Sequence, residues 1–168
     1  MRAVFIVRQL LRLCVLAWVA GYLALPVNAQ LQAGERSAPE RIPQNGRVWR
    51  DGGGAPAARF AIETRGNSNY LVRLYEKSGN RAILTIMVHG GNTVETKAPY
   101  GEYTLRYAVG GPDWFGLVGL FGPATEVYEA DATLRFYRSG NTIHGNRVTL
   151  YGVVGGNMAT SKIDKRNF

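Results

Sequence analysis

A run of short alternating segments, separated by turn residues, extends from Asn69 to Tyr107 and constrains the fold more than any other part of the chain. Segments rich in β-branched and aromatic residues, such as NYLVRLYE and AILTIMVH, alternate with SGN, GGN and APYG. Gly, Asn and Pro in these connections favour tight turns, and the combination is typical of antiparallel hairpins. The pattern therefore predicts an antiparallel β-meander at the centre of the protein.

The alternation within these segments predicts which side chains face the core. Tyr103, Leu105 and Tyr107 share one face of their strand, whereas the residues between them are polar. Ala82–His89 is apolar on both faces. A strand of that kind is expected at the centre of its sheet.

The turn before Tyr103 also carries a family resemblance. Gly90–Tyr107 contains GGxTVxxxAPxGxYxLRY, in which Pro99 and Gly101 occupy favoured positions of a type I turn. This segment resembles the prealbumin-like β-sandwich modules of the carboxypeptidase regulatory kind, and the similarity extends over Tyr70–Gly110. The resemblance implies a β-sandwich that binds or packs against another molecule and is not itself a catalyst.

Residues 1–29 have the composition of a secretory signal peptide. Three arginines open the segment, Leu13–Leu25 is apolar, and Val27–Ala29 suits a signal peptidase. The apolar run is shorter than the roughly 20 residues of a spanning helix, so we expect cleavage before Gln30 and no membrane span afterwards. The only cysteine, Cys14, lies in this leader, and we expect the mature chain to fold without disulfides.

The composition also predicts boundaries for the rest of the chain. Residues 30–58 are rich in Gly, Pro, Ala and charge, which predicts a disordered tether or flexible linker. Within it, Trp49 is expected either in an edge strand of its own domain or in contact with a partner. We predict an all-β domain at 59–153, a single antiparallel β-sandwich of about seven to eight strands, and a frayed tail at 154–168.

The segment Gly110–Pro123, GGPDWFGLVGLFGP, is too glycine-rich for a regular helix and too apolar for a solvated loop. Its aromatic residues could fold back and close one end of the sandwich. Alternatively, Trp114 and Phe115 lie partly exposed beside Tyr100 and form a binding surface. We expect Phe115 or Phe121 to be buried and Trp114 to lie at the rim. The candidate binding residues are Trp114, Phe115, Tyr100 and Phe121.

The chain shows no recognisable catalytic set. Its two histidines, His89 and His144, lie near predicted hairpin ends, and two ligands are too few for a standard metal site. Paired carboxylates perform glycoside hydrolysis only at a defined separation. Four acidic residues lie in or near the glycine-rich segment: Asp113, Glu126, Glu129 and Asp131. We expect a protein that is not an enzyme and needs no cofactor or metal, with a carboxylate-based hydrolase as a minor alternative.

The formal net charge is +8, but the basic residues are scattered and form no basic run or helix. Nucleic-acid binding is therefore not expected. The leader, the meander and the glycine-rich segment together favour an exported module, periplasmic or extracellular, that binds a protein or an envelope polymer. A structural subunit of an envelope or surface assembly, docking by strand addition at an exposed edge, is the alternative.

Overall fold

The structure, a computed structural model, describes residues 38–77, 81–151 and 159–168. The predicted signal peptide at 1–29 and the predicted SGN turn at 78–80 lie outside the described residues. The described part of the chain consists mainly of strands, with a four-residue helix α1 (Gly116–Gly119) and a 3₁₀ turn (Lys165–Asn167). The predicted all-β class is confirmed. No helix in these ranges is long and apolar enough to cross a membrane.

Eleven strands are present in the described ranges, more than the predicted number. They form a larger sheet of eight strands and a smaller sheet of three. In chain order they are β1 (Val48–Arg50), β2 (Ala58–Thr64), β3 (Asn69–Glu76), β4 (Ala82–Val88), β5 (Thr93–Ala98), β6 (Gly101–Gly110), β7 (Glu126–Ala130), β8 (Leu134–Ser139), β9 (Thr142–His144), β10 (Asn146–Leu150) and β11 (Thr160–Ile163).

The larger sheet has the order β1-β4-β3-β6-β7-β11, and its pairs are antiparallel. Strand β6 pairs with β7 along one half of its length and with β8 along the other, and β8 in turn pairs with β9. The predicted meander strands β3, β4 and β6 form the middle of this sheet. The turn into β6 requires glycine, because Gly101 has φ of 150° and a Cβ there would lie 2.8 Å from the Tyr103 hydroxyl oxygen.

The smaller sheet has the order β10-β2-β5. Strand β5 is antiparallel to β2, but β10 is parallel to it, which corrects the expectation of a wholly antiparallel sandwich. The predicted hairpin over Thr142–Tyr151 also differs, because only Thr142–His144 pairs with β8 before the chain passes to the other sheet. Gly145 permits this passage, since a Cβ there would lie 2.0 Å from the backbone oxygen of Arg59.

The main core lies between the two sheets. Tyr103, Leu105 and Tyr107 are buried in it, as the alternation predicts, and so are Val148 and Leu150 of the smaller sheet. Aromatic contacts reinforce the packing, with ring centroids 5.5 Å apart for the edge-on pair Phe60–Phe136 and 5.3 Å apart for the stacked pair Tyr107–Tyr128.

The opposite face of the larger sheet is covered as well. Leu71, Met87 and Ala108 project from its central strands into a second apolar cluster. The residues that cover them come from three other segments and from β1, β7 and β11: Trp114, Leu120, Phe121 and Val127, with the partly buried Ile42, Trp49, Ile163 and Phe168. Both faces of the central strands are therefore buried, which accounts for the apolar sequence of β4.

The predicted linker and tail differ from the structure where it describes them. Trp49 lies in β1, which pairs with β4, and the Met87 N–H donates to Arg47 O over 3.0 Å. In the tail, β11 pairs with β7. Composition alone predicted flexibility, but backbone pairing with the sheet edges and burial of a few apolar side chains hold the described residues of both segments against the domain. Residues 152–158 lie outside the described residues.

Leu105 provides a direct test of the core assignment. Its side chain is fully buried between the sheets, so we expect Leu105→Ala to lower the free energy of unfolding by about 2–5 kcal/mol. Thr104→Ala, on the opposite face of β6, is the control and should cost much less. Urea denaturation of both variants measures the difference, and equal unfolding midpoints would contradict the assigned face.

Candidate functional site

The aromatic residues of Gly110–Pro123 cover the sheet instead of forming an open binding surface. Trp114 is only 3% exposed, and its ring centroid lies 5.5 Å from that of Phe121, which is also buried. Phe115 is half-buried. The expectation that Trp114 lies at the rim is wrong, because its ring packs in the second apolar cluster and its backbone oxygen accepts from the Glu40 N–H over 2.7 Å.

Hydrogen bonds hold this segment in one conformation. The Phe115 N–H donates to Leu120 O over 2.8 Å, and the Lys165 ammonium donates to Pro123 O over 2.7 Å. Arg73 donates to Leu117 O over 2.9 Å. The tip of the segment is open to solvent, where Val118 is 96% exposed.

Tyr100, the other predicted site residue, lies far from this segment. It precedes β6, whereas Trp114 follows the end of that ten-residue strand. At about 3.4 Å per residue the strand spans roughly 30 Å. The predicted grouping of Tyr100 with Trp114 and Phe115 is therefore wrong, and the structure places Tyr100 among different neighbours.

Tyr100 lines a groove of about 710 Å³ between the start of β6 and the end of β8. Pairing of Gly101 with Phe136 fixes the two strands beside each other. The Tyr100 side chain is 43% exposed and that of Tyr137 is 47% exposed. We call this cavity the tyrosine groove; its lining residues are Tyr100, Gly101, Glu102, Arg135, Phe136, Tyr137 and Arg138.

The ring of Tyr137 is fixed by a neighbour across the β8–β9 hairpin. Tyr137 pairs with His144, and their rings stack at a centroid distance of 4.4 Å and an interplanar angle of 7°. Because the backbone pair and the stacked imidazole hold the phenol ring, the hairpin presents a flat aromatic surface in a defined orientation. Alternation in LRFYRS places Tyr137 opposite the inward Leu134 and Phe136, so the sequence contained a signal for this residue.

The charged side chains of the tyrosine groove differ in whether they have an ion-pair partner among the described residues. Glu102 accepts from Arg135 over 3.0 Å and from Lys77 over 3.3 Å. Arg138 donates from Nε to Gly140 O over 2.9 Å, and no carboxylate in the described part of the chain lies within ion-pair distance of it. Arg138 is therefore a cation on the groove wall with donors available for an anionic ligand.

A second, smaller groove of about 290 Å³ lies on the other side of the same hairpin. Arg59 forms a bidentate pair with Glu95, and the hydrogen bond from Arg59 lowers the pKa of Glu95. Arg147 lies 3.8 Å from that carboxylate. We call this cavity the arginine groove; its lining residues are Arg59, Ala61, Ile143, Gly145, Asn146 and Arg147.

The acidic residues considered for hydrolysis contact separate partners. Glu126 and Glu129 are three residues apart on β7, so they point to opposite faces of the sheet. Glu129 accepts from Arg106 over 2.5 Å, whereas Glu126 accepts from Lys162 over 2.6 Å. The hydrogen bonds from Lys162 and Tyr128 lower the pKa of Glu126, whereas a general acid needs a raised pKa. Asp113 is exposed, and Asp131 accepts from Ser161 over 2.9 Å.

The two histidines also contact different segments. His89 Nε2 lies 2.8 Å from Pro43 O, and the His89 N–H donates to the Asn45 side chain over 2.9 Å. His144 instead stacks on Tyr137. Within the described residues, no group of three or more His, Cys, Asp or Glu side chains is arranged to hold a metal ion.

Comparison with known proteins finds no matching family model, no significantly similar curated protein and no significantly similar solved structure. The resemblance of Tyr70–Gly110 to prealbumin-like modules therefore stays a prediction. The functional assignment rests on the two grooves and on the residues that line them.

Replacing Trp114 and Val118 separately distinguishes structural residues from exposed ones in the glycine-rich segment. Because Trp114 is buried, we expect Trp114→Ala to lower the free energy of unfolding by about 3–5 kcal/mol. Val118→Ala should change it by no more than about 0.5 kcal/mol, since the side chain is almost fully exposed. Chemical denaturation measures both values, and a Trp114→Ala variant as stable as the wild type would contradict the assignment.

Proposed function

We propose that this protein is an exported β-sandwich module, periplasmic or extracellular, that binds an envelope polymer or a protein through the tyrosine groove. The predicted signal peptide supports export. The single observation that carries the binding site is a groove in which two half-exposed tyrosines flank arginine side chains. Tyr and Arg are enriched among the residues that dominate binding energies.

The groove is also well ordered for binding. Tyr100 O accepts from the Tyr103 hydroxyl over 3.1 Å, and Arg135 O accepts from the Asn146 side chain over 2.7 Å. Tyr137 is held by its contact with His144. Binding residues that are ordered in advance lose less conformational entropy when a ligand binds. The tyrosine groove therefore suits recognition better than the exposed tip at Val118 does.

The positions of the two grooves favour a polymer over a small molecule. Arg138, in the tyrosine groove, is the direct pairing neighbour of Ile143, in the arginine groove. The β8–β9 hairpin therefore carries a depression on either side. A chain-like ligand lying across the hairpin would contact both depressions, whereas a small ligand would occupy only one.

A structural subunit of an envelope or surface assembly is the second candidate. The almost fully exposed Val118, beside the partly exposed Leu117, supports it, because an apolar tip of this kind is suited to a pocket in another subunit. Strand addition at an edge has less support. The edge strands are short or carry charges such as Lys162 and Lys97, and both features discourage edge-to-edge pairing.

A sedimentation experiment with insoluble envelope material tests the proposal. Residues 30–168 of the wild type should sediment with the envelope fraction, and the Tyr100→Ala/Tyr137→Ala double variant should remain in the supernatant. Val118→Ala is the control and should sediment like the wild type. The double variant should keep its thermal midpoint, because both side chains are exposed.

The opposite pattern would support the assembly candidate. If the double variant sediments normally and Val118→Ala does not, the contact is made by the tip of the glycine-rich segment. A wild-type protein that stays entirely in the supernatant would contradict envelope binding altogether.

A further inference from the structure

We propose that the ligand of the tyrosine groove is an acidic polysaccharide, with one sugar ring against Tyr137 and a carboxylate of the same chain paired with Arg138. This inference rests on the proposed function and names the class of polymer. It follows from three features of the β8–β9 hairpin: a flat aromatic surface, an arginine that has no carboxylate partner within the described residues, and a second groove, lined by two arginines, on the other side.

The aromatic surface suits a sugar ring. A pyranose has a face of C–H groups and an edge of hydroxyls, so it packs flat on an aromatic ring while its edge contacts polar groups. The stacked Tyr137–His144 pair supplies a flat ring that is 47% exposed at the tyrosine. Tyr100 adds a second exposed ring to the same groove. A tyrosine combines an apolar face with a hydroxyl that can reach a polar partner.

The charges favour an acidic sugar over a neutral one. Arg135 already pairs with Glu102 at 3.0 Å, but Arg138 has no such partner among the described residues. A guanidinium binds a carboxylate through two parallel hydrogen bonds, which are stronger than hydrogen bonds between neutral groups. Arg138 thus supplies the position where a carboxylate would be bound most strongly.

The position of the arginine groove indicates how a long ligand would lie across the hairpin. Arg59 and Arg147 lie on the far side of β9, where they share Glu95 and Arg147 also lies 3.8 Å from Glu63. Their cationic groups lie close to carboxylates, so they would add a weaker and more salt-sensitive attraction. A polysaccharide crossing the hairpin would place one acidic unit at Arg138 and further units towards these two arginines.

A single-stranded nucleic acid is a less suitable polyanion for this surface. Non-specific strand binding relies on successive stacked bases and on a continuous cationic groove. Here the β8–β9 hairpin offers one stacked platform at Tyr137, and most of the surrounding arginines are close to carboxylates. A DNA oligonucleotide is nevertheless included in the experiment below as a competing polyanion.

Titration calorimetry with oligogalacturonate of fixed length tests the inference, and its methyl ester is the neutral control. At physiological salt we expect the acidic oligomer to bind the wild type at least about tenfold more tightly than the ester does. A charge-assisted ion pair contributes an affinity difference of that size. Arg138→Gln should remove most of this preference, because Arg59 and Arg147 add only a weaker attraction. Tyr137→Ala should weaken both oligomers, because it removes the surface on which either sugar packs. Arg166→Gln, an exposed arginine paired with Asp164 elsewhere, should bind like the wild type.

Three results would overturn the inference. Equal affinity for the acid and the ester would show that Arg138 does not select a carboxylate. Tighter binding of a DNA oligonucleotide with the same number of charges would assign the groove to nucleic acid. No binding of the oligogalacturonate would exclude acidic sugars of this kind, while sedimentation of the wild type with envelope material would still support the proposed function.

Discussion

The whole structure depends on burying both faces of the central strands β3, β4 and β6. The smaller sheet covers one face, where Tyr70, Val72 and Leu105 are buried. The other face presents Leu71 and Met87, and the described part of the chain contains no third sheet that could cover them. Loops and chain segments must supply that cover. Each Å² of apolar surface that this second layer removes from water contributes about 25 cal/mol to the stability.

This requirement determines which aromatic residues remain for binding. Trp114 and Phe121 are taken up by the second layer, and the C-terminal residues add to it through Phe168, which packs under the Arg73 guanidinium at 4.2 Å. The β8–β9 hairpin lies outside that layer, because β8 pairs, among the described residues, with the first part of β6 and with β9. Its exposed residue Tyr137 is therefore accessible to a ligand. The same packing thus accounts for a buried glycine-rich segment and an exposed tyrosine groove.

Local sequence patterns predicted the strands well, but they did not predict which residues cover the second face of the larger sheet. Alternation in β6 correctly placed Leu105 inward, since a strand's period fixes its faces without knowledge of distant residues. The burial of Trp114 depends on contacts with segments far away in the sequence, including the backbone of Glu40, and no local pattern contains that information. Tyr100 was predicted beside Trp114 and Phe115 but has other neighbours, because the pairing of the following residues of β6 with β8 is equally non-local. Tyr137 was not predicted as a site residue, although alternation in β8 places it opposite the inward Leu134 and Phe136.

Hydroxyl-radical footprinting with mass spectrometry, on residues 30–168 with and without insoluble envelope material, tests the central claim most directly. The account predicts that Tyr100 and Tyr137 are oxidised in the free protein and protected when the envelope is present. Trp114 should be almost unreactive in both samples, because it is buried. Oxidation of Trp114 in the free protein and its protection by the envelope, with unchanged labelling of the two tyrosines, would contradict the account.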